Sequence, residues 1–245
     1  MTFEFTKSKK YDPDWIRSNM MGPNPVQLLE LLSDKMDLKQ GMRVLDLGCG
    51  MALTSIFLAR EFGVETWATD LWIQATANYK RIIEAGLDGK VHPIHAEAHS
   101  LPYADEFFDA VVSIDAYHYF GADSEYMDEY CARLLKPRGQ IGIVVPGLSY
   151  EIESGRPPEG LEELWEDDFC TFHTAAWWES LWQESSMIET EFCEVMPLGK
   201  KIWLESEWRQ GEHGSDNDKK ILMADKNDAL AMIMLTGRRK YETGE

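Results

Sequence analysis

Residues 43–61 read RVLDLGCGMALTSIFLARE, and that stretch decides the fold. Val44, Leu45 and Leu47 form the apolar run of a strand buried on both faces, and Thr54, Phe57, Leu58 and Glu61 then recur at helical spacing. Between them Gly48 and Gly50 lack a Cβ, so backbone N–H groups at the start of the helix can approach a ligand without steric penalty. Asp46 bears on which ligand. A carboxylate two residues before the first glycine repels a pyrophosphate, but it can pair with an ammonium or order the water around one. A dinucleotide loop needs G-x-G-x-x-G. Here Leu53 stands where the third glycine belongs, so the close helix–strand packing of that type is not specified.

Downstream, Val64 to Thr69 reads as a second buried strand ending at Asp70, 20 residues beyond Gly50. An acidic residue there can accept hydrogen bonds from both ribose hydroxyls of an adenosine, with Leu71 and Trp72 placed to pack on the adenine face. Ile73 to Ala85 reads as a helix closed by Gly86, Val91 to Ile94 as a short third strand, and Ala110 to Ile114 as the fourth. Asp115-Ala116-Tyr117-His118-Tyr119-Phe120 lies just past the fourth strand's carboxyl end, the edge at which open α/β sheets bind ligands. Asp123 caps a helix over Glu125 to Leu135, Leu135-Lys136-Pro137-Arg138-Gly139 is a tight turn, and Gln140 to Val145 is the fifth strand.

Two of these segments carry a family likeness. Asp46-Leu47-Gly48-Cys49-Gly50 resembles the D-x-G-x-G loop of class I S-adenosylmethionine-dependent methyltransferases, which wraps the amino-acid end of the cofactor. The run from Glu97 to Ser113, EAHSLPYADEFFDAVVS, resembles the D-A-x-x-L-P-F…F-D-x-V segment of the methyltransferase-11-like branch that acts on small molecules. The L-K-P-x-G turn is a third hallmark, and the likeness runs to about Pro146. It implies a Rossmann-like three-layer α/β fold, with helices on both faces of a seven-stranded, mostly parallel sheet. Strands six and seven would form an antiparallel hairpin at the edge, the last strand running antiparallel. S-adenosyl-L-methionine would be the methyl donor and S-adenosyl-L-homocysteine the product. The implied cofactor residues are Asp46, Gly48, Cys49, Gly50, Asp70, Leu71, Glu97, Ala98 and Asp115. Glu97 replaces the usual Asp, which keeps an acceptor for the adenine amino group but lengthens its reach, and the Ala98 N–H would serve the ring. Two readings of other kinds stand beside this one: a NAD-dependent oxidoreductase, and a protein that binds S-adenosylmethionine without catalysis.

Outside the core, residues 1–25 read as an irregular arm with the turn cluster Gly22-Pro23-Asn24-Pro25, followed by an amphipathic helix over Val26 to Met36. Tyr11, Trp15, Met20 and Met21 are too apolar for a free tail, so the arm either docks on the surface or acts as a flap. Residues 26–145 form the cofactor-binding core, and 146–186 interrupt the βα alternation as a substrate-side insertion or lid. Residues 187–245 supply the C-terminal strands, all within a single domain. In the insertion, a helix around Thr174 to Glu184 carries Trp177, Trp178, Leu181 and Trp182, which with His173 suggest an apolar substrate pocket. Glu191 to Val195 and Ala229 to Thr236 read as strands, Lys200 to Gln210 as helical and Gly211 to Lys220 as a charged loop. Substrate-binding candidates are Tyr11, Trp15, Tyr117, His173, Trp177 and Trp178. His118 is the candidate base, since an unperturbed imidazole titrates near neutrality, and Tyr119 is its candidate catalytic neighbour.

Composition narrows the partners. The net charge of −19, from 43 acidic against 24 basic residues, disfavours nucleic acid and anionic membranes, whose recognition draws on clustered Lys and Arg. The acceptor is therefore expected to be a small molecule. The four cysteines are scattered with no C-x-x-C pair, which suggests neither a metal site nor a disulfide framework. No signal-peptide core or membrane-length apolar run is evident, so a cytoplasmic monomer or homodimer is expected.

Overall fold

The computed structural model describes residues 3–152, 156–206 and 216–241. Its strands are β1 (Arg43–Leu47), β2 (Glu65–Asp70), β3 (Val91–His95), β4 (Phe108–Ile114), β5 (Leu135–Leu148), β6 (His173–Thr174), β7 (Ile188–Val195) and β8 (Leu230–Arg239). They make one sheet in the order β3-β2-β1-β4-β5-β8-β7, with the two-residue β6 pairing the end of β5. The first five are mutually parallel, and β8 runs antiparallel to both β5 and β7. The seven strands expected are present, and β6 is an eighth. The strand order reverses at β1, whose neighbours are β2 and β4, so a crevice opens beyond the carboxyl ends of β1 and β4.

Helices α1 (Pro13–Asn19), α2 (Pro25–Ser33), α3 (Leu53–Phe62), α6 (Gly199–Glu205) and α7 (Asp216–Ala224) contribute to one apolar layer with Val44, Ala110, Val112 and Val144. The other face carries Leu45, Leu47, Val111, Ile143 and Ile233, and packs against α5 (Ala175–Gln183) and the Met127–Cys131 segment. Helix α4 (Ala75–Glu84) closes a smaller cluster in which Ile82 meets Val91 and Ala68. Period-two alternation puts Val44 and Asp46 on one side of β1 and Leu45 and Leu47 on the other. The sheet's neighbours therefore decide what each side chain of the glycine-loop strand can reach.

Several boundaries differ from the sequence reading. The arm is partly ordered, with a 3₁₀ turn at Ser8–Lys10 and α1 starting at Pro13 behind an Asp12 cap that accepts from the Asp14 amide at 2.8 Å. Helix α2 stops at Ser33, and the segment before β5 is a π turn followed by a 3₁₀ turn ending at Leu134. The Leu135–Gly139 turn is absorbed into β5 as an irregularity, with Arg138 at φ +65° and a register shift opposite Phe108/Ala110. Asp216–Ala224 is helical, not loop; residues 211–215 of the expected charged loop, including His213, lie outside the described residues.

Candidate active site

The crevice at the switch point holds a cavity of about 1020 Å³, including the open space at its mouth. One wall is the loop after β1. Gly48 adopts φ +75°, and a Cβ there would collide with the Ala116 side chain beyond β4. Gly50 adopts φ +52°, and a Cβ would lie 3.1 Å from the Met21 Sδ. The glycines thus bring the loop backbone against both the β4 end and the arm, at conformations other residues adopt at a cost.

Asp70 anchors this wall. Its Oδ2 accepts from the Gly50 amide at 2.8 Å, and its Oδ1 from the Trp72 and Ile73 amides, each at 2.8 Å. One carboxylate therefore ties the β1 loop to the β2 turn, and it lines the cavity. Cys49, Leu71, Glu97 and Ala98 also line the cavity. The Glu97 carboxylate accepts from both the His99 amide (2.8 Å) and Nδ1 (2.7 Å). Burial, reinforced by the Asp46 and Asp70 charges, pushes the Cys49 thiol well up, which keeps it protonated.

Asp46 stands elsewhere. It is fully buried on the α3 side of the sheet, where Thr54 Oγ1 (2.6 Å) and Ser55 Oγ donate to its Oδ2, and it is not part of the cavity wall. It was expected to face an ammonium; the alternation along β1 turns it toward the first turn of α3 instead, at the positive end of the helix dipole. Burial raises its pKa to about 6 against the lowering by the two hydroxyls, and its Oδ1 has no partner among the described residues.

The candidate catalytic pair splits. Tyr117–Tyr119 is a 3₁₀ turn, and three residues per turn send three consecutive side chains in three directions. Tyr117 is buried against Trp178 and Trp182, His118 lies buried 6.0 Å (ring centroids) from Phe172, and Tyr119 alone lines the cavity. Desolvation pushes the His118 imidazole down to about 3, so it is neutral and has no access to the cavity as a base. The aromatic insertion residues are likewise not in the cavity wall. Trp178 and Trp182, one helical turn apart, are core, and His173 stacks on Trp177 with centroids 3.6 Å apart. In the arm, Tyr11 packs on Phe57 and donates to Glu61 Oε1 at 3.3 Å, so it docks on α3, Trp15 stacks on its ring, and neither lines the cavity.

The arm does line the cavity, through Asn19, Met20, Met21, Gly22 and Pro23, of which the sequence marked the two methionines only as too apolar for a free tail and Gly22-Pro23 only as a turn. It is fastened by Glu30 of α2, whose buried carboxylate accepts from the amides of Thr6 (2.7 Å), Lys7 (2.8 Å) and Ser8 (2.7 Å). Arg81 Nε donates to Asn19 Oδ1 at 3.0 Å, and the Asn24 amide donates to Ser206 Oγ at 2.8 Å. The Met-Met-Gly-Pro run, two apolar side chains before a tight turn, was the available signal.

A match to the methyltransferase domain family covers residues 44–139, from the glycine-loop strand to the turn opening β5. That match, with relatives that are themselves methyltransferases, supports a class I S-adenosylmethionine-dependent methyltransferase. Among curated proteins it is 28% identical over 192 residues to methyltransferase GfsG of Streptomyces halstedii, covering 77% of this chain and 66% of that one. It is 31% identical over 122 residues to the glycine/sarcosine/dimethylglycine N-methyltransferase of Actinopolyspora halophila, covering 49% and 21%. The matches thus span between about a fifth and two thirds of these relatives' own lengths. Among solved structures, a putative sarcosine dimethylglycine methyltransferase from Galdieria sulphuraria superposes with a TM-score of 0.69 at 22% identity, covering 88% of this chain and 86% of that one. The Rossmann-like methyltransferase fold is therefore shared beyond the cofactor core.

Proposed function

We propose that this chain transfers the methyl group of S-adenosylmethionine to a small-molecule acceptor. The observation that carries the reading is the Asp70-anchored glycine loop at the sheet's switch point. There two close-approach glycines, the Asp70 carboxylate and the Glu97–Ala98 edge lie on one wall. These residues fit an adenosyl amino acid: Asp70 for the ribose hydroxyls, Leu71 against the base, Glu97 and Ala98 for the adenine edge, and Gly48, Cys49 and Gly50 for the amino-acid end. Leu53 at the position of the third glycine argues against the NAD alternative.

When bound, the cofactor supplies a methyl group already activated on a sulfonium. The protein's work is then to align donor and nucleophile and to exclude water, which can supply much of the ~7–11 kcal/mol available from positioning. The loop and Asp70 hold one side, and Met20, Met21 and Gly22 cover the other, shutting solvent from the crevice. The relatives' printed names span amine and oxygen acceptors, among them glycine and sarcosine, 27-O-demethylrifamycin SV and fatty acid, all small molecules. No helix among the described residues is long and apolar enough to cross a membrane, and among those residues no basic side chain lines the cavity. Calorimetric titration tests the reading: S-adenosylhomocysteine should bind at micromolar strength and NAD should not. Binding without turnover of any acceptor in a labelled-methyl assay on a metabolite extract would favour the non-catalytic alternative.

A further inference from the structure

We propose that the outer part of this cavity takes its acceptor through a positively charged amine, held by the Asp115 carboxylate beside the open rings of Tyr119 and Trp72. The inference deepens, and depends on, the methyltransferase reading. Among the described residues, the charged side chains in the cavity wall are Asp70, Glu97 and Asp115, all acidic. Asp70 and Glu97 are already engaged by neighbouring N–H groups. Asp115 is different. Its amide donates to the Val144 carbonyl at 2.7 Å, but its carboxylate accepts no hydrogen bond among the described residues. One of its oxygens faces Gly22 of the arm, and its neighbouring charge is Asp218 of α7, a second acid that itself accepts from Trp203 Nε1 at 3.2 Å. A carboxylate taken partly out of water beside another acid, with no donor to satisfy it, is left for a cation to compensate.

The rings supply the second half. Trp72 and Tyr119 both line the cavity with centroids 5.5 Å apart, yet they are 59% and 49% exposed, so their faces are open to a ligand. Aromatic faces beside a carboxylate suit an alkylammonium, by cation–π attraction and charge pairing together. A hydroxyl acceptor could hydrogen-bond the Asp115 carboxyl but would bring no countercharge to it, and an anionic one would be repelled by the acidic wall. The placement also favours the acceptor over the cofactor's own ammonium. Asp115, Asp168 and Asp218 act together on the Tyr119 hydroxyl at the mouth, whereas Asp46 senses the Asp70 charge within the loop. Burial first, then Asp218, raises the Asp115 carboxyl to about 8, a shift that an arriving cation would reverse.

The test is a binding comparison on the full chain saturated with S-adenosylhomocysteine. It uses three probes of similar skeleton: 2-phenylethylamine, 2-phenylethanol and 3-phenylpropionate, titrated calorimetrically near pH 7.5. The expected result is binding of the amine about tenfold or more tighter than the alcohol, the equivalent of ~1.4 kcal/mol, with the propionate weakest. Asp115→Asn should abolish that preference while S-adenosylhomocysteine affinity stays within about threefold, and Asp218→Asn should reduce the preference in a second, independently folded variant. Lack of discrimination by the parent protein, whether all three probes bind alike or none binds, overturns the inference, as does a preference for the propionate. It is also overturned if Asp115→Asn weakens S-adenosylhomocysteine but leaves the amine preference intact, since the carboxylate would then serve the cofactor. Failure of S-adenosylhomocysteine to bind the parent protein is a separate result and removes the methyltransferase reading itself.

Discussion

Replacing Asp70 with Ala should injure the loop and the ligand site together, by amounts the geometry separates. The carboxylate accepts three backbone amides at 2.8 Å, from Gly50, Trp72 and Ile73, so Ala leaves three donors without their charged acceptor. Hydrogen bonds to charged groups contribute ~1.5–3 kcal/mol each when the abandoned partner stays dry, but amides on a cavity wall recover much of that from water. A net loss of about 2 kcal/mol is expected, or roughly 4–8 °C in melting temperature for a chain of this size. Ligand binding loses a further ~1–3 kcal/mol, about 5- to 150-fold in Kd, because two ribose hydroxyls forfeit a paired acceptor. Asp70→Asn refines the test. Its amide oxygen can retain Trp72 and Ile73, but its NH₂ group then confronts the Gly50 N–H, so stability should recover by about half while binding does not. Differential scanning calorimetry of the ligand-free protein and titration with S-adenosylhomocysteine measure the two effects. A lowered melting temperature with an unchanged Kd in Asp70→Ala would show that Asp70 only braces the loop, and would refute its place in the site.

Three further outcomes are expected. His118→Asn should lower stability by about 1–3 kcal/mol through lost packing against Phe172, and leave the shape of the pH–rate profile unaltered; loss of an ionisation near neutrality without loss of stability would restore the imidazole as a base. Glu30→Gln weakens the acceptor of three arm amides, so limited proteolysis should cut residues 3–12 faster and S-adenosylhomocysteine should bind less tightly, with Met21 no longer held over Gly50; unchanged cleavage would show that the arm is fastened elsewhere. Asp46, raised to about 6 from 3.8, keeps its proton longer in the folded than in the unfolded chain, so its contribution is full below about pH 3.8 and is lost as pH rises through 6. Asp46→Asn should therefore compare better with the parent at pH 8 than at pH 4, by up to about 3 kcal/mol, and equal differences in melting temperature at both pH values would contradict the shift.

The glycine-loop wall of the cavity was legible because its information is local. Gly48 and Gly50 are specified by backbone approach, and Asp70 by its distance along one βα unit, so strand and helix periodicity suffice to place them. The same periodicity, applied one residue more finely, would have withdrawn Asp46. It shares a face with Val44, and that face is covered by α3, whose Thr54 and Ser55 hydroxyls stand where the carboxylate points. A motif read as a string treats Asp46 and Gly48 as one unit, whereas a strand sends Asp46 into the helix layer and the turn after it sends Gly48 to the ligand.

The acceptor half was obscured for a tertiary reason. Of the side chains assigned to the substrate, Tyr117 packs on Trp178 and Tyr11 on Phe57, far apart in sequence, while His173 stacks on Trp177 four residues on; the candidate base His118 meets Phe172. Large rings are favoured in cores for the same area that makes them attractive as pocket walls, so composition alone does not separate the two uses. What separates them is whether a partner element arrives. Helix α5 arrives over Tyr117, and the Asp167–Thr171 turn brings Phe172 over His118, while Tyr119, one residue on, meets His118 and Trp72 and remains half exposed. The cavity is then closed by the unbranched, adaptable Met20 and Met21. An aromatic core with a methionine cover leaves Tyr119, Trp72 and Asp115 in the cavity wall and the tryptophan-rich helix out of it, so the proposed specificity would turn on one carboxylate and two rings.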